Sequence, residues 1–285
     1  MYQQPIRQIE AVATTRITPH MARITFGGTE LADYASVEPD QQVKLYFPKP
    51  GRSHSVLPPR DLDFMAWYQA YSAIPEPERP WMRSYTIRAH HPETATIDID
   101  FVLHDHAGPA TRWAETPEPG ATLAMFGPSA TFARPIPLAT SVAKADWLLL
   151  AGDATALPAI AAILDWLPDS TPAIAYIEVA NQAEHQALPG NATIHWLDRG
   201  DTPAPPGALL ADALTAATLP SGSPFAWLGG EAGSIRALRR HLVNDRGLPK
   251  SAIDFTGHWR KSLSQDDAPT EEDIEEANER LAAAQ

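Results

Sequence analysis

The chain has 285 residues, no cysteine and a formal net charge of −13 at pH 7. This length is sufficient for two packed domains. The absence of cysteine excludes disulfides, thiol nucleophiles and cysteine-bound iron–sulfur clusters, so redox chemistry in this chain needs a bound cofactor. The acidic balance argues against a nucleic-acid-binding protein, which usually carries a surplus of positive charge.

The acidic residues are concentrated at the C-terminal end. Residues 266–285 carry a charge of −7, which leaves −6 for residues 1–265. Thr270 and Asp273 have the spacing of a capping box. A narrow apolar stripe follows at helical spacing: Ile274, Ala277, Leu281 and Ala284. The sequence therefore predicts an acidic C-terminal helix, which either docks weakly as a solvated surface or lines a ligand site with its first turn.

The sequence shows no targeting or membrane segment. The first ten residues lack the apolar run of a secretory signal. The longest apolar stretch, residues 147–167, is interrupted by Asp153 and Asp165 and is not typical of a bilayer span. We expect a cytoplasmic, monomeric protein without membrane insertion.

Residues 1–138 are predicted to form an antiparallel β-barrel. The segment Thr96–Leu103 alternates apolar residues with Asp98 and Asp100, as expected of a strand with one buried face. Glycine and proline residues separate it from other short predicted strands: Met21–Phe26, Gln42–Phe47, Ser84–Arg88 and Thr122–Phe126. The proline-rich stretch 50–80 is predicted to be an excursion between strands.

Residues 139–263 alternate predicted strands and helices, which is typical of a doubly wound α/β domain. The strands are Trp147–Ala151, Ala173–Val179, Thr193–Leu197, Phe225–Leu228 and Ile253–Trp259. The helices are Leu157–Leu167, Leu209–Ala217 and Ser234–Asp245. Residues 264–285 are predicted to be a separate acidic tail.

The tetrad Arg83-Ser84-Tyr85-Thr86 is the first group that could bind a ligand. In a strand, Arg83 and Tyr85 lie on one face and Ser84 and Thr86 on the other. A flavin cofactor needs a cation near its phosphates, an aromatic surface against its ring and a small polar contact at the ring edge. The tetrad offers all three, although an ordinary polar and aromatic strand could contain the same residues.

A second group follows the strand that ends in FVL. A short helix is predicted to begin near Ala110. The free N–H groups at its start, beside the hydroxyl of Thr111, suit a pyrophosphate. His104 and His106 precede the helix, but no third ligand stands at a diagnostic spacing. We therefore predict no metal site and interpret both histidines as solvated loop residues.

The turn from Gly152 to Pro158 joins the first strand of the α/β region to its helix. Doubly wound domains bind nucleotides at this position. The glycines of Gly229-Gly230-Glu231 follow a later strand and offer a second close approach to the backbone. Neither segment matches the Gly-x-Gly-x-x-Gly fingerprint, so the order of the motifs carries more weight than either motif alone.

In this order, the motifs resemble the ferredoxin–NADP reductase superfamily. More narrowly, they resemble the siderophore-interacting proteins, which are FAD-dependent ferric-siderophore reductases. The segments that carry the resemblance are RSYTIR, DFVLHDHAGPATRWA, AGDATALPAI, WLGGEAGSIRALRRHL and GHWRKS. The resemblance spans nearly the whole chain and implies a flavin-binding barrel followed by a nucleotide-binding α/β domain.

The resemblance also implies three sets of binding residues. The predicted FAD-binding residues are Arg83, Ser84, Tyr85, Thr86, Phe101, Val102, Leu103, His104, Gly108, Ala110, Thr111, Trp113 and Trp259. The predicted residues for NADH or NADPH are Gly152, Asp153, Thr155, Ala156, Gly229, Gly230 and Glu231. The predicted residues for an anionic ferric siderophore are Lys44, Arg260 and Lys261. The implied chemistry requires no catalytic acid or base.

The three substrate bases are also suggested by charge. An acidic protein must concentrate positive potential locally to hold an anionic iron chelate. Lys44 interrupts an apolar strand in a chain with five lysines. The alternative is that all three bases are solvated surface residues.

The electron donor is predicted to be NADH. A 2′-phosphate normally meets an Arg or Lys near the second strand of the α/β domain, and Ile174–His185 contains neither. Arg199 and Arg236 are the bases that could approach a 2′-phosphate from elsewhere.

Two other functions are compatible with the sequence. One is a related flavin reductase with a quinone, a free flavin or a protein as acceptor. The other is a siderophore-binding protein without catalysis, which would bind the ferric chelate but take up no FAD.

Overall fold

The computed structural model divides the chain into two compact units, Met1–Ala133 and Arg134–Gln285. It describes residues 4–104, 108–129, 134, 136–201, 204–267 and 270–275. The domain boundaries predicted from the sequence, at 138/139 and 263/264, stay predictions.

The first unit is a closed barrel. Its strands and helices are β1 (Ile6–Thr18), β2 (Met21–Gly27), β3 (Gln42–Phe47), α1 (Phe64–Ala73), β4 (Trp81–His91), β5 (Thr96–Val102), α2 (Pro109–Glu115) and β6 (Thr122–Phe126). The strand order around the barrel is β1-β2-β5-β4-β3-β6, and every neighbouring pair is antiparallel. The predicted antiparallel barrel is confirmed.

Apolar and acidic side chains alternate along β5, so its two faces have different surroundings. Ile97, Ile99 and Phe101 are fully buried inside it. On the opposite face, Asp100 accepts two hydrogen bonds from the guanidinium of Arg23, at 2.7 and 2.8 Å. The apolar face of β5 is therefore buried in the core, and the carboxylate of Asp100 on its other face forms a bidentate ion pair with Arg23 of β2.

Helix α1 lies within the proline-rich stretch that the sequence predicts only as an excursion. It begins after Asp63, whose carboxylate accepts a hydrogen bond from the N–H of Ala66. Trp67 is 2% exposed and stacks on Tyr71 at 5.5 Å between ring centroids. Both rings pack against Tyr46 on the outer face of the barrel.

The second unit is a parallel five-stranded sheet with helices. Its elements are α3 (Leu138–Val142), β7 (Trp147–Asp153), α4 (Leu157–Trp166), β8 (Ala173–Val179), β9 (Ala192–Asp198), α5 (Ala208–Ala216), β10 (Pro224–Glu231), α6 (Ala232–Asn244) and β11 (Ile253–Trp259). The strand order is β11-β10-β7-β8-β9, and every neighbouring pair is parallel. The predicted α/β domain is confirmed.

The strand order fixes where this sheet can bind a ligand. The chain runs from β7 to β8 and β9 on one side, then returns to β10 and β11 on the other. The order therefore reverses between β7 and β10, and open α/β sheets bind ligands at the carboxyl ends of strands beside such a reversal. Asp153 ends β7 and Glu231 ends β10 at this point.

Beyond the sheet, residues 271–275 are helical, as the capping-box spacing predicts. Ala277, Leu281 and Ala284 of the predicted apolar stripe lie outside the described residues. Within the part of the chain that the structure describes, no helix is long and apolar enough to cross a membrane.

Candidate functional site

In the barrel, the predicted flavin tetrad lies in the middle of β4. Tyr85 packs into the core, with its ring 4.3 Å from the ring of Phe101, and burial raises the pKa of its hydroxyl. Arg83 is half-buried and donates a hydrogen bond to the carbonyl of Met82 at 2.7 Å. Thr86 is buried. The tetrad therefore combines a fixed aromatic ring and a cation on one strand.

Lys44 lies beside the same tetrad. Strands β3 and β4 pair Lys44 with Ser84, and the ammonium donates a hydrogen bond to the Ser84 hydroxyl. Lys44 is half-buried, and burial lowers its pKa to about 8 because a charged ammonium loses hydration there. Lys44 is therefore not a solvated surface base. The structure brings together a predicted substrate residue and a predicted cofactor residue.

The end of β5 and the start of α2 contain the other predicted residues of the barrel. Phe101, Leu103, Ala110 and Thr111 are buried, and the ring of Trp113 stacks against the core. Val102 is half-buried and His104 is exposed. His106 lies outside the described residues. Most of this group therefore belongs to the core at the end of the barrel.

Gly108 stands directly before α2 in an open position. Its backbone φ is −71°, an ordinary value for any residue, and a Cβ built there meets nothing within 4 Å. Packing and backbone conformation therefore do not require glycine at this position. Among the described residues, the space beside this backbone is therefore open to a ligand, as the predicted phosphate contact needs.

In the second unit, Asp153 joins the carboxyl ends of three adjacent strands. Its Oδ1 accepts hydrogen bonds from the N–H and the hydroxyl of Thr155, at 2.8 and 2.6 Å. Its Oδ2 accepts from the N–H of Glu231 at 2.9 Å and from the indole N–H of Trp259 at 2.8 Å. One carboxylate thus fixes the ends of β7, β10 and β11 relative to one another.

The glycines at these strand ends allow close packing. A Cβ built on Gly152 would lie 2.4 Å from the Cβ of Ala156 and 2.4 Å from the carbonyl oxygen of Gly229. Gly230 has a φ of +144°, a conformation that glycine adopts without strain. Close packing among the strand ends therefore explains these glycines. The edge they form lies beside the strand reversal, where open α/β sheets bind ligands.

Glu231 and His258 stabilise the same edge. Glu231 caps α6, with its Oε2 accepting hydrogen bonds from the N–H and hydroxyl of Ser234 at 2.8 and 3.0 Å. The Nδ1 of His258 lies 3.1 Å from the carbonyl oxygen of Thr155, and it must donate because a carbonyl can only accept. Both side chains already have structural hydrogen bonds.

The predicted substrate bases after β11 have different surroundings. The guanidinium of Arg260 pairs with Asp273 at 2.9 Å, and its side chain is 17% exposed. Lys261 is exposed. Thr270 and Asp273 form the predicted capping box, with hydrogen bonds of 2.9 and 3.2 Å between them. Sequence reasoning did not find that the start of the acidic tail contacts a predicted substrate residue.

The described residues contain no group of three or more His, Cys, Asp or Glu side chains that could hold a metal ion. The prediction of no resident metal therefore stays a prediction for the chain as a whole.

Two family profiles match the chain, one on each unit. The profile for the siderophore-interacting FAD-binding domain matches residues 10–132, and the profile for siderophore-interacting proteins matches residues 145–262. The chain belongs to the siderophore-interacting protein family. The predicted resemblance is confirmed.

Relatives within the family support this assignment. The ferric vibriobactin reductase ViuB of Vibrio cholerae is 29% identical, over 91% of this chain and 91% of its own length. A siderophore utilization protein from T. fusca has a TM-score of 0.72 and 34% identity, covering 93% of this chain and 97% of its own. The siderophore-interacting protein SipS from Aeromonas hydrophila has a TM-score of 0.72 and 29% identity, and 98% of each chain is covered.

The residues of the first unit fit an FAD. Arg83 supplies a cation on the same face of β4 as the aromatic ring of Tyr85, and Gly108 leaves open space over the backbone before α2. A flavin dinucleotide needs a positive charge, an aromatic contact and access for its phosphates. The individual roles of these residues stay predictions.

Proposed function

We propose that this member of the siderophore-interacting protein family is an FAD-dependent ferric-siderophore reductase with a nicotinamide nucleotide as electron donor. The observation that carries the proposal is the combination of a family-matched FAD-binding barrel with a parallel sheet whose strand order reverses between β7 and β10. The similarity to a ferric vibriobactin reductase over most of both chains supports a ferric chelate as acceptor.

Bound FAD would take two electrons from the nucleotide as a hydride and pass them singly to Fe(III). The overall balance is one NAD(P)H and two Fe(III) giving one NAD(P)⁺, one proton and two Fe(II). Side chains therefore bind and orient the reactants, and no proton need be held by a catalytic acid. Fe(II) is less charged than Fe(III), so an oxygen-rich chelator holds it less tightly and iron is released.

The bases of the chain would attract the chelate. Catecholate complexes of Fe(III) are anionic, and local positive charge raises their concentration at the surface. Lys44 in the first unit and Arg260 and Lys261 in the second are the proposed substrate bases. The ammonium of Lys44 donates a hydrogen bond to the hydroxyl of Ser84. This partner is neutral and does not cancel the positive charge, which supports a role for Lys44 in attracting an anion.

NADH is the proposed donor. Arg199, the base that follows β9, places its Nε 3.9 Å from the carboxylate of Glu178, which is 2% exposed. Arg236 pairs with Glu272 and Asp273, each at 3.2 Å. Both bases that could approach a 2′-phosphate therefore lie beside carboxylates, and a 2′-phosphate would have to compete with those carboxylates for them.

A steady-state assay with a ferrous trap tests the proposal. Purified, FAD-loaded protein should oxidise NADH under anaerobic conditions when a ferric catecholate is added, and the trap should report Fe(II). The same assay with a quinone or free FAD as acceptor distinguishes a related flavin reductase. Protein that binds the chelate but takes up no FAD would refute the proposal in favour of simple siderophore binding.

A further inference from the structure

The carboxylate of Asp273 lies between two guanidinium groups. Its Oδ2 is 2.9 Å from Nη1 of Arg260, and its Oδ1 is 3.2 Å from Nη1 of Arg236. The arginine side chains are 17% and 20% exposed, and that of Asp273 is 24% exposed. Two largely buried cations therefore share the carboxylate of Asp273, and Arg236 also pairs with Glu272 at 3.2 Å, so both acidic partners come from the C-terminal segment.

The carboxylate is also held by its own turn. The N–H of Thr270 donates to Oδ2 at 2.9 Å, and the N–H of Asp273 donates to the Thr270 hydroxyl at 3.2 Å. Burial raises the pKa of Asp273, but the hydrogen bonds from Thr270 and the charges of Arg260 and Arg236 outweigh it and leave the pKa below its ordinary value. The group is therefore an anion throughout the neutral pH range.

The cations are positioned independently of Asp273. Nη2 of Arg260 donates to the carbonyl of Ser264 at 2.6 Å and to that of Asp267 at 3.3 Å. Arg236 is placed by the helix α6, whose apolar side packs in the core of the second unit. If Asp273 moved away, an oxyanion could take its place between the two guanidinium groups.

The position of this pair favours the chelate over the nucleotide. Arg260 follows β11, which is the edge strand on the far side of β10. The adenosine end of a dinucleotide normally extends from the central strand toward the second strand, which is β8 on the opposite side of β7. Arg260 therefore lies on the opposite side of β10 and β7 from that strand.

We propose that Arg236 and Arg260 form an oxyanion-binding site for the anionic ferric siderophore, and that Asp273 occupies this site as an internal competitor. This inference rests on the proposed function. It adds Arg236 to the substrate residues and gives the acidic segment a role, because the substrate must displace Asp273 before both guanidinium groups can bind it. Competition of this kind raises the apparent Kd in inverse proportion to the fraction of molecules in which the site is open.

The test compares Asp273→Asn with Glu275→Gln in the full-length, FAD-loaded protein. Both variants remove one negative charge from the same segment, but Glu275 is exposed and has no ion pair with a described residue. The probe is the Ga(III) complex of a catecholate siderophore, which cannot be reduced, and binding is measured by calorimetry. Asp273→Asn should bind about threefold or more tightly than the native protein, as expected when two ion pairs are lost, and Glu275→Gln should bind like the native protein.

Two further measurements sharpen the result. In Asp273→Asn/Arg260→Gln the gain in affinity should disappear, which assigns it to the arginine pair. Hydrogen exchange at the amides of Asp273 and Ile274 should become faster when the Ga(III) complex is added to the native protein. A cationic trihydroxamate complex of Ga(III) should gain nothing from Asp273→Asn.

Equal affinities of Asp273→Asn and Glu275→Gln for the catecholate complex would overturn the inference. A gain for NADP⁺ in place of the chelate would also overturn it, because the pair would then serve the nucleotide. The proposed function fails separately, if the native protein binds the Ga(III) complex but does not reduce the Fe(III) complex.

Discussion

The indole N–H of Trp259 donates a hydrogen bond of 2.8 Å to the carboxylate of Asp153, which joins the end of β11 to the end of β7. The same carboxylate oxygen accepts from the N–H of Glu231 at the end of β10. Three strand ends beside the reversal of the sheet are thus fixed by one side chain. Asp153 is thus a positioning residue, and in the proposed function it would act on a bound nucleotide through the backbone it positions.

Replacement of Asp153 should therefore reduce both stability and nucleotide affinity. Asp153→Ala leaves the N–H groups of Thr155, Glu231 and Trp259 without their acceptor, and the loss should be about 1–3 kcal/mol of unfolding free energy. The KM for NADH should rise because the strand ends shift. Thermal unfolding and steady-state kinetics measure the two effects. Asp212→Ala, at an exposed position in α5, removes the same charge and should change neither. Native-like stability of Asp153→Ala would contradict this role.

Arg83 should contribute to FAD affinity through its charge. Arg83→Gln removes the cation from β4 and should weaken FAD binding about tenfold or more, in line with the value of a charge-assisted hydrogen bond. Fluorescence titration of the apoprotein with FAD measures the dissociation constant. Arg16→Gln, at an exposed position in β1, is the matched control. Equal FAD affinities of the two variants would rule out Arg83 as a phosphate ligand.

Two glycines should respond to alanine in opposite ways. Gly152→Ala would place a Cβ 2.4 Å from the carbonyl oxygen of Gly229, so we expect a loss of about 1–3 kcal/mol in unfolding free energy. Gly108→Ala meets nothing within 4 Å, so its stability should stay within about 0.5 kcal/mol while FAD affinity falls. Chemical denaturation and FAD titration separate the two. Unchanged FAD affinity in Gly108→Ala would show that no phosphate approaches this backbone.

The affinity for an anionic chelate should depend on the protonation of Lys44. Burial lowers its pKa to about 8, so the folded protein loses this positive charge as the pH rises above that value. The KM for a ferric catecholate should therefore increase above about pH 8 in the native protein. In Lys44→Met the KM should be higher at pH 7 and should lack this step. Identical pH profiles in the two proteins would remove Lys44 from the substrate site.

The same pKa shift has a consequence for stability. Below pH 8 the lysine is charged in both the folded and the unfolded chain, so folding carries the full cost of burying the ammonium. Between pH 8 and about 10.4, the pKa of an unperturbed lysine, the folded chain binds fewer protons and this cost declines. Lys44→Met should therefore be more stable than the native protein at pH 7, and the difference should shrink as the pH rises. Thermal unfolding from pH 7 to pH 10 measures it.

NADH should reduce the bound flavin faster than NADPH. The two bases that could approach a 2′-phosphate lie beside carboxylates, Arg199 next to Glu178 and Arg236 next to Asp273. Anaerobic stopped-flow measurements with each nucleotide give the rate and the apparent dissociation constant. Equal or faster reduction by NADPH would show that one of these bases leaves its carboxylate to bind the 2′-phosphate.

Periodicity predicts most of the fold. The alternation in residues 96–103 and the strand–helix order after residue 146 are strong signals, and both units form as expected. Strand β1 was not predicted, because half of its residues are exposed and its alternation is irregular. Helix α1 was not predicted because its aromatic residues stand among prolines, and its capping residue Asp63 becomes meaningful only once the helix is known.

The candidate site depends on contacts that sequence patterns do not contain. Lys44 meets Ser84 because of the register between β3 and β4. Asp153 accepts a hydrogen bond from Trp259, 106 residues later in the chain, because β7, β10 and β11 end side by side. The capping box of Thr270 and Asp273 is a local signal and was predicted, whereas the contact of Asp273 with Arg260 is a tertiary one. Local motifs thus identify the residue types, and the fold decides their partners.

The most direct test of the central claim is an anaerobic titration of the FAD-loaded protein with NADH in the presence of a ferric catecholate and a ferrous trap. Flavin absorbance and trapped Fe(II) are followed together. We expect about two Fe(II) per NADH, as a two-electron donor and a one-electron acceptor require, with the flavin reoxidised at the end. Flavin that is reduced by NADH and stays reduced, with no Fe(II) in the trap, would contradict it.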